Sequence, residues 1–249
     1  MAEIAGATDV PRTTAARRGF DHIEAWIFDL DNTLYPASCD LFAQVDRRMS
    51  GYIAKTLGVP REHARHLQKA YYRQFGTTLA GLMKVHKLPP GPFLEYVHDI
   101  DISVVPELPD LAAAIAALPG RRLIFTNGSR RHAENVARKL GVLHLFEDIC
   151  DIAALDYVPK PDPQAFDKML ELHGLPAARA AMFEDMPHNL EPASTLGMTT
   201  VLVHSDYIDH PAQLKVREWR ELPEHIHYLT RDLTGFLSTE VTAKSSQSL

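Results

Sequence analysis

The sequence predicts a doubly wound α/β fold: a Rossmann-like parallel sheet core with an α-helical cap inserted after the first strand. Two observations carry this expectation. Short apolar runs alternate with helical stretches, the pattern of a parallel sheet whose crossover helices cover both faces. Residues 40–100 then break the alternation, with helical spacing and no clear strand.

The first strand is read at residues 24–29, where Ala25-Trp26-Ile27-Phe28 is a continuous apolar run, as in a strand buried on both faces. In the insertion, Leu41, Phe42, Val45, Met49 and Ile53 recur at helical spacing. A second helix is expected over 61–75, stopped by Gly76, and a third over 78–87, stopped by Pro89-Pro90-Gly91. A shorter fourth follows at 93–99. The core resumes with helices near 107–118, 130–140, 163–173 and 188–196. Between them lie strands at Arg122–Thr126, Ala180–Glu184 and Thr199–Val203, a short piece at Glu147–Cys150 and an edge strand at His225–Leu229. The expected organisation is a core of 20–38 and 105–238, a cap of 39–104, and flexible tails at 1–19 and 239–249.

Composition narrows the function classes. The chain has 249 residues, 45% hydrophobic and 23% charged, enough for one large domain with an insertion. Lys plus Arg is 26 against 32 Asp plus Glu, a formal charge of −6, so there is no basic footprint for nucleic acid. The longest apolar runs fall well short of the ~20 residues that a membrane span requires. Residues 1–19 lack the apolar centre of a signal peptide. Only Cys39 and Cys150 occur, too few for a disulfide scaffold, and the expected compartment is the reducing cytoplasm. Oligomeric state has no sequence signature here.

Four motifs carry chemistry. Asp29-Leu30-Asp31-Asn32-Thr33 puts two carboxylates at the end of the first strand, where open α/β sheets bind their ligands. One acid can act as nucleophile or metal ligand and the other as proton donor and acceptor. An Asp-rich turn closing a strand would look the same on this motif alone. Phe125-Thr126-Asn127-Gly128-Ser129 offers a hydroxyl and backbone N–H groups at a helix start, an anion site or a capped turn. Val158-Pro159-Lys160-Pro161 fixes one lysine in a proline-bounded loop, where an ammonium can neutralise a phosphate. Phe183-Glu184-Asp185, followed by Asn189, ends another strand with paired acids suited to a hard divalent cation or to helix capping.

In this order, each at a strand end or in the loop after one, the motifs resemble the haloacid dehalogenase superfamily over roughly residues 24–204. More narrowly, Phe28 to Pro36, Gly76-Thr77-Thr78-Leu79 and Tyr96-Val97-His98-Asp99-Ile100-Asp101 are similar to the pyrimidine 5′-nucleotidase-type branch. The resemblance implies that Asp29 attacks phosphorus and that Asp31 protonates the leaving oxygen and then activates water. Thr126 with the N–H groups of Asn127 and Gly128 would hold the phosphoryl oxygens, and Lys160 would steady Asp29 and the phosphate. Mg²⁺ would bind the Asp29 carboxylate, the Asp31 carbonyl oxygen and Asp185, with Glu184 and Asn189 behind them. The implied activity is Mg²⁺-dependent hydrolysis of a small phosphate ester, with a pyrimidine nucleoside 5′-monophosphate foremost. Sugar phosphates and a phosphomutase outcome are the alternatives. A haloacid dehalogenase, which would lack the second acid, and a non-catalytic binding protein stand further off.

Other features are discounted. The thirteen histidines, with His63/His66 and His225/His227 each sharing a face, form no ligand pattern and read as surface or packing residues. Tyr71, Tyr72 and Phe75 read as cap core. Arg73, Thr77, Thr78, His98 and Asp99 are polar groups near cap helix ends and are the candidates for substrate selection.

Overall fold

The computed structural model describes residues 12–13, 19–207 and 210–241. Its strands, in chain order, are Arg12–Thr13 (β1), Ala25–Phe28 (β2), Arg121–Phe125 (β3), Asp148–Cys150 (β4), Ala180–Glu184 (β5), Thr199–Val203 (β6), Glu221–Leu222 (β7) and Tyr228–Thr230 (β8). Six of them form one sheet in the order β4-β3-β2-β5-β6-β8, with every pairing parallel. The strand order reverses about the central strand β2, the switch point outside which such sheets bind their ligands.

The apolar strands serve two layers at once. Successive side chains point to opposite faces. Trp26 and Phe28 join Ile124, Phe183 and Val201 on one face, against Leu111–Ile115 of α5 (Pro109–Ala116) and Val136–Leu140 of α6 (Arg130–Leu140). Ala25 and Ile27 join Leu123, Phe125 and Met182 on the other, against Phe166 and Met169 of α7 (Pro163–His173) and Leu190 of α8 (Leu190–Thr195). Phe28 and Phe183 stack across neighbouring strands with centroids 4.6 Å apart. The fold class read from the sequence is what the structure has.

Between β2 and β3 lie α1 (Leu41–Leu57), α2 (Arg61–Phe75), α3 (Thr78–His86) and α4 (Pro90–Val97). They share an apolar cluster of their own, with Ile53, Ala64, Leu82, Phe93 and Val97 buried, joined by Ile152 from a core loop. α2 and α3 approach so closely that a Cβ on Gly81 would sit 2.4 Å from Tyr71 Cβ. Only glycine fits that crossing.

The structure moves three sequence readings. α4 begins at Pro90 rather than near 93, because proline suits the first helical turn, where its missing N–H has no partner to lose. The edge strand starts at Tyr228 rather than His225. The His227 ring accepts the Thr200 N–H at 3.0 Å, and Thr200 Oγ1 donates to the His225 carbonyl at 2.7 Å, so side chains take the place of the ladder until Tyr228 pairs with Val201. Near the C-terminus, α10 (Leu233–Phe236) runs into a π-helical turn over Leu237–Val241, and Leu237 and Val241 are buried against the sheet. The chain thus stays packed past 239, where composition places the start of the tail. The N-terminal tail falls outside the described residues apart from Gly19 and from Arg12–Thr13, which pair in parallel with Glu221–Leu222. Among the described residues no helix is long and apolar enough to cross a membrane.

Candidate active site

Asp29 follows directly on β2, and its N–H still donates to the Phe183 carbonyl at 2.9 Å, so the ladder fixes its backbone. Strand order does the rest. β3 and β5 flank β2, which brings Thr126 and Glu184 to either side of Asp29 from positions far away in sequence. Lys160 completes the centre. Its Nζ donates to Asp29 Oδ1 at 2.7 Å, to Glu184 Oε2 at 2.7 Å and to the Phe125 carbonyl at 2.8 Å. All three protons of the ammonium are thereby used, and the side chain is 1% exposed. Thr33 Oγ1 donates to the other Asp29 oxygen at 3.2 Å.

Asp29, Glu184 and Asp185 are all buried, with ligand atoms within 4.8 Å of one another. Three carboxylates face one ammonium, which leaves two negative charges unmet in a water-poor site. The electrostatics register this. Burial and the Glu184 charge push the Asp29 carboxyl up to about 7, against the pull of Lys160. Burial and the same neighbour raise Asp185 well above the carboxylate range. Glu184 is lowered despite its burial, because Lys160 lies against it and the Met186 N–H donates to Oε1 at 3.1 Å. The Lys160 ammonium is raised, since its two carboxylate partners outweigh the burial that opposes it. Hard oxygen donors with two surplus negative charges suit a divalent cation such as Mg²⁺. Asn189 Oδ1, on the loop after Asp185, is buried with no partner among the described residues. Gln213 of α9 (Pro211–Val216) donates to the Asp185 carbonyl and holds this loop from behind, a contact that no sequence spacing signals.

The Thr126–Gly128 turn lies beside Asp31. The Gly128 N–H donates to Thr126 Oγ1 at 2.9 Å, leaving the hydroxyl proton of Thr126 for an anionic guest. A Cβ on Gly128 would lie 3.2 Å from that oxygen and 3.8 Å from Asp31 Oδ2, so the absent side chain leaves the space between them clear. The Asn127 side chain does not face it. Its amide pairs with the backbone of Lys160.

Asp31 is held by residues that the sequence reading passed over. Its Oδ1 accepts from Tyr35 O–H at 2.7 Å and from His132 Nε2 at 3.0 Å. Burial would raise this carboxyl, but the His132 charge and the two hydrogen bonds hold it below the usual range. His132 sits in the first turn of α6, capped by Ser129, whose Oγ accepts the His132 N–H at 3.4 Å. It is not a surface or packing histidine. Its place four residues after the Gly128 turn, on a helix whose N-terminus faces the strand ends, was the available signal.

The structure separates the cap candidates. His98, the C-cap residue of α4, stacks on His132 with ring centroids 4.3 Å apart and hydrogen-bonds through Nδ1 to Ser129 Oγ at 2.9 Å. Burial and His132 lower its pKa to about 3. Thr77 caps α3, and Thr78 donates to the Gln68 carbonyl, both within the cap. Asp99 is 82% exposed and paired with Arg48. Arg73 is exposed. Tyr72 departs from the cap-core reading. Tyr71 packs inside the cap, whereas Tyr72 reaches the core, with its hydroxyl 3.3 Å from His188 Nε2 and its ring edge-on to His210 at 5.5 Å. Its phenol is raised to about 12 by burial and by Asp185 and Glu184.

Known proteins resemble this chain in sequence and in fold. Residues 23–197 match the family model described as haloacid dehalogenase-like hydrolase. Phosphate metabolism protein 8 of Saccharomyces cerevisiae is 28% identical over 197 residues, which cover 72% of this chain and 61% of that protein. The chain thus matches less than two thirds of that relative's length. Among solved structures, CbbY of Rhodobacter sphaeroides in complex with phosphate superposes with a TM-score of 0.59 at 20% identity, over 86% of this chain and 96% of that one. A phosphatase of Thermococcus onnurineus gives 0.57 at 17% over 88% and 100%, and L-2-haloacid dehalogenase of Xanthobacter autotrophicus 0.52 at 17% over 87% and 99%. These structural likenesses speak for the fold.

Proposed function

Because the chain belongs to the haloacid dehalogenase-like hydrolase family, we propose that it is a Mg²⁺-dependent phosphomonoester hydrolase acting through an aspartyl-phosphate on a small soluble ester. The observation that carries this reading is the buried set of Asp29, Glu184 and Asp185 around a single lysine, with a second acid, Asp31, two residues from Asp29. A dehalogenase needs neither the surplus negative charge nor the second acid. Mg²⁺ would be held by the Asp29 carboxylate, the Asp31 carbonyl oxygen and Asp185, and would supply positive charge against the phosphoryl oxygens.

The residues divide the work. An Asp29 oxygen attacks phosphorus, the ester P–O bond breaks, and Asp31, which takes up a proton once the negative ester lies beside it, gives that proton to the leaving oxygen. Water then attacks the aspartyl-phosphate and loses a proton to Asp31. The bond between phosphorus and the Asp29 oxygen breaks, which returns the carboxylate and inorganic phosphate. Lys160 holds Asp29 in place, and the Thr126 hydroxyl with the Asn127 N–H receives the phosphoryl oxygens, joined by the Gly128 N–H once it turns from Thr126 Oγ1. Positioning and electrostatics dominate such transfers, so few residues suffice. Helices α1–α4 act as the cap over this centre, with residues 39–104 as its extent.

For substrate we favour a pyrimidine nucleoside 5′-monophosphate, on the resemblance of Phe28–Pro36, Gly76–Leu79 and Tyr96–Asp101 to that branch. Sugar phosphates are the second reading. Cys39 and Cys150 are both free thiols, in keeping with a cytoplasmic protein. The test is phosphate release from a panel of nucleotides and sugar phosphates, with and without Mg²⁺, beside halide release from a 2-haloacid. Halide release without phosphate release would replace this reading with the dehalogenase one.

A further inference from the structure

We propose that Tyr35 and His132 are positioning residues that aim Asp31 for proton transfer, and that His98 ties their alignment to the seating of the cap. The proposal rests on the phosphomonoester reading above and adds to it three residues with a defined task.

The geometry is asymmetric in an informative way. A carboxylate turns easily about its terminal bond and exposes two equivalent oxygens. Here one oxygen, Oδ1, takes both hydrogen bonds, from Tyr35 at 2.7 Å and His132 at 3.0 Å. The other, Oδ2, is the one on the Gly128 side, 3.8 Å from where a side chain there would begin. Two donors on one atom fix the plane of the group and present the remaining oxygen to the Gly128 turn, the side on which a leaving oxygen would lie. Tyr35 is 1% exposed and the His132 side chain 1%, so neither can drift from its post.

The anchors come from separate parts of the fold. Tyr35 follows from the same turn as Asp31. His132 belongs to the first turn of α6, which Ser129 caps. His98 ends α4 in the cap, stacks its ring on His132 with an interplanar angle of 10°, and bonds Ser129. The imidazole of His132 is thus clamped between Asp31 and a cap residue. With His98 withdrawn, His132 loses the ring that covers one face, and Ser129 loses a partner. Seating of the cap and alignment of the acid are one event on this geometry. Catalytic groups must be held within fractions of an ångström, which is what such supporting contacts supply.

The experiment compares leaving groups in the full chain. An alkyl phosphate needs a proton on its departing oxygen, whereas p-nitrophenyl phosphate departs as a stable phenolate. The value of kcat/KM reports steps up to that departure. In His132→Gln and Tyr35→Phe, kcat/KM for the alkyl ester should fall at least about tenfold further than for the aryl ester, within the range that general acid catalysis contributes. His98→Ala should give a smaller loss of the same selectivity. In an Asp31→Asn background, His132→Gln should add no further selectivity, since the group it aims is gone. Thermal melts of each variant separate this from misfolding, and Tyr35→Phe, which keeps the ring, guards against a collapsed variant. Equal losses on both esters in folded Tyr35→Phe and His132→Gln would overturn the positioning role and leave the hydrolase reading intact. A wild-type chain that releases phosphate from neither ester, with Mg²⁺ present, would overturn both.

Discussion

The side-chain amide of Asn127 grips the backbone of Lys160 from two directions. Its Oδ1 accepts the Lys160 N–H at 2.8 Å, and its Nδ2 donates to the Lys160 carbonyl at 3.1 Å. One residue of the Thr126–Gly128 turn therefore sets where the ammonium shared by the buried carboxylates can stand. Asn127→Ala should cost about 1–3 kcal/mol of stability by stranding both backbone groups. It should also lower kcat/KM by at least about tenfold, because a displaced lysine misplaces Asp29. Denaturant unfolding together with steady-state kinetics checks both, and unchanged kinetics would mean that the proline-bounded loop holds Lys160 unaided.

Asp29→Asn should abolish turnover while leaving a folded protein. An amide is a poor nucleophile, and losing the covalent route should cost several orders of magnitude in rate. Near-normal phosphate release from this variant would remove the aspartyl-phosphate mechanism.

Lys160→Met should harm the fold as well as the reaction. It strands Glu184 and Asp29 without their partner, a change that costs about 3–5 kcal/mol when a buried pair is broken. A thermal melt compared with that of Asp29→Asn is the measurement. The lysine variant should be the less stable of the two.

The raised Asp29 carboxyl predicts a pH dependence. Its folded value of about 7 lies above the ordinary 3.8, so between those limits the folded protein holds a proton that the unfolded chain has lost. Cation-free stability from this group therefore falls as pH rises through that window and levels off above it. Asp185 acts in the same direction, whereas the lowered Asp31 and Glu184 withdraw stability only on acidification below the ordinary carboxylate range. A cation must displace these protons, so Mg²⁺ should raise the melting temperature more at about pH 8 than at about pH 5.5. A chelator should likewise stop phosphate release, and added Mg²⁺ should restore it.

Substrate ranking should respond to Tyr72 and not to Arg73. Tyr72 leans from the cap to His188, beside the acidic loop, while Arg73 points to solvent. Tyr72→Ala should reorder relative kcat/KM across nucleotides and sugar phosphates, and Arg73→Ala should preserve the order. A reordering by Arg73→Ala alone would place selection on the outer face of the cap.

Much of this could be read from the chain because it is written locally. β2 and β5 are apolar runs, and the acids at their ends, Asp29 and Glu184, sit where such strands stop. What escaped is non-local. His132 meets Asp31 across 101 positions, Tyr72 meets His188 across 116, and Asn127 meets Lys160 across 33. No periodicity records such pairings. The start of β8 escaped for a different reason: a histidine ring replaced a backbone partner, which the alternation of side chains does not reveal.

The strand order has a consequence for how the molecule comes into being. β2 is made before both of its neighbours, β3 and β5, and the Asp29–Lys160 pair closes a separation of 131 positions. A nascent chain that stops short of β5 holds Asp29 with one side of its strand bare and Glu184 not yet made. Long-range parallel pairing of this kind is slow, since the entropy of closing the loop is lost before the contacts reward it. The centre is therefore complete only once β5 and the loop after it have been made, because Glu184 ends that strand and Asp185 follows it.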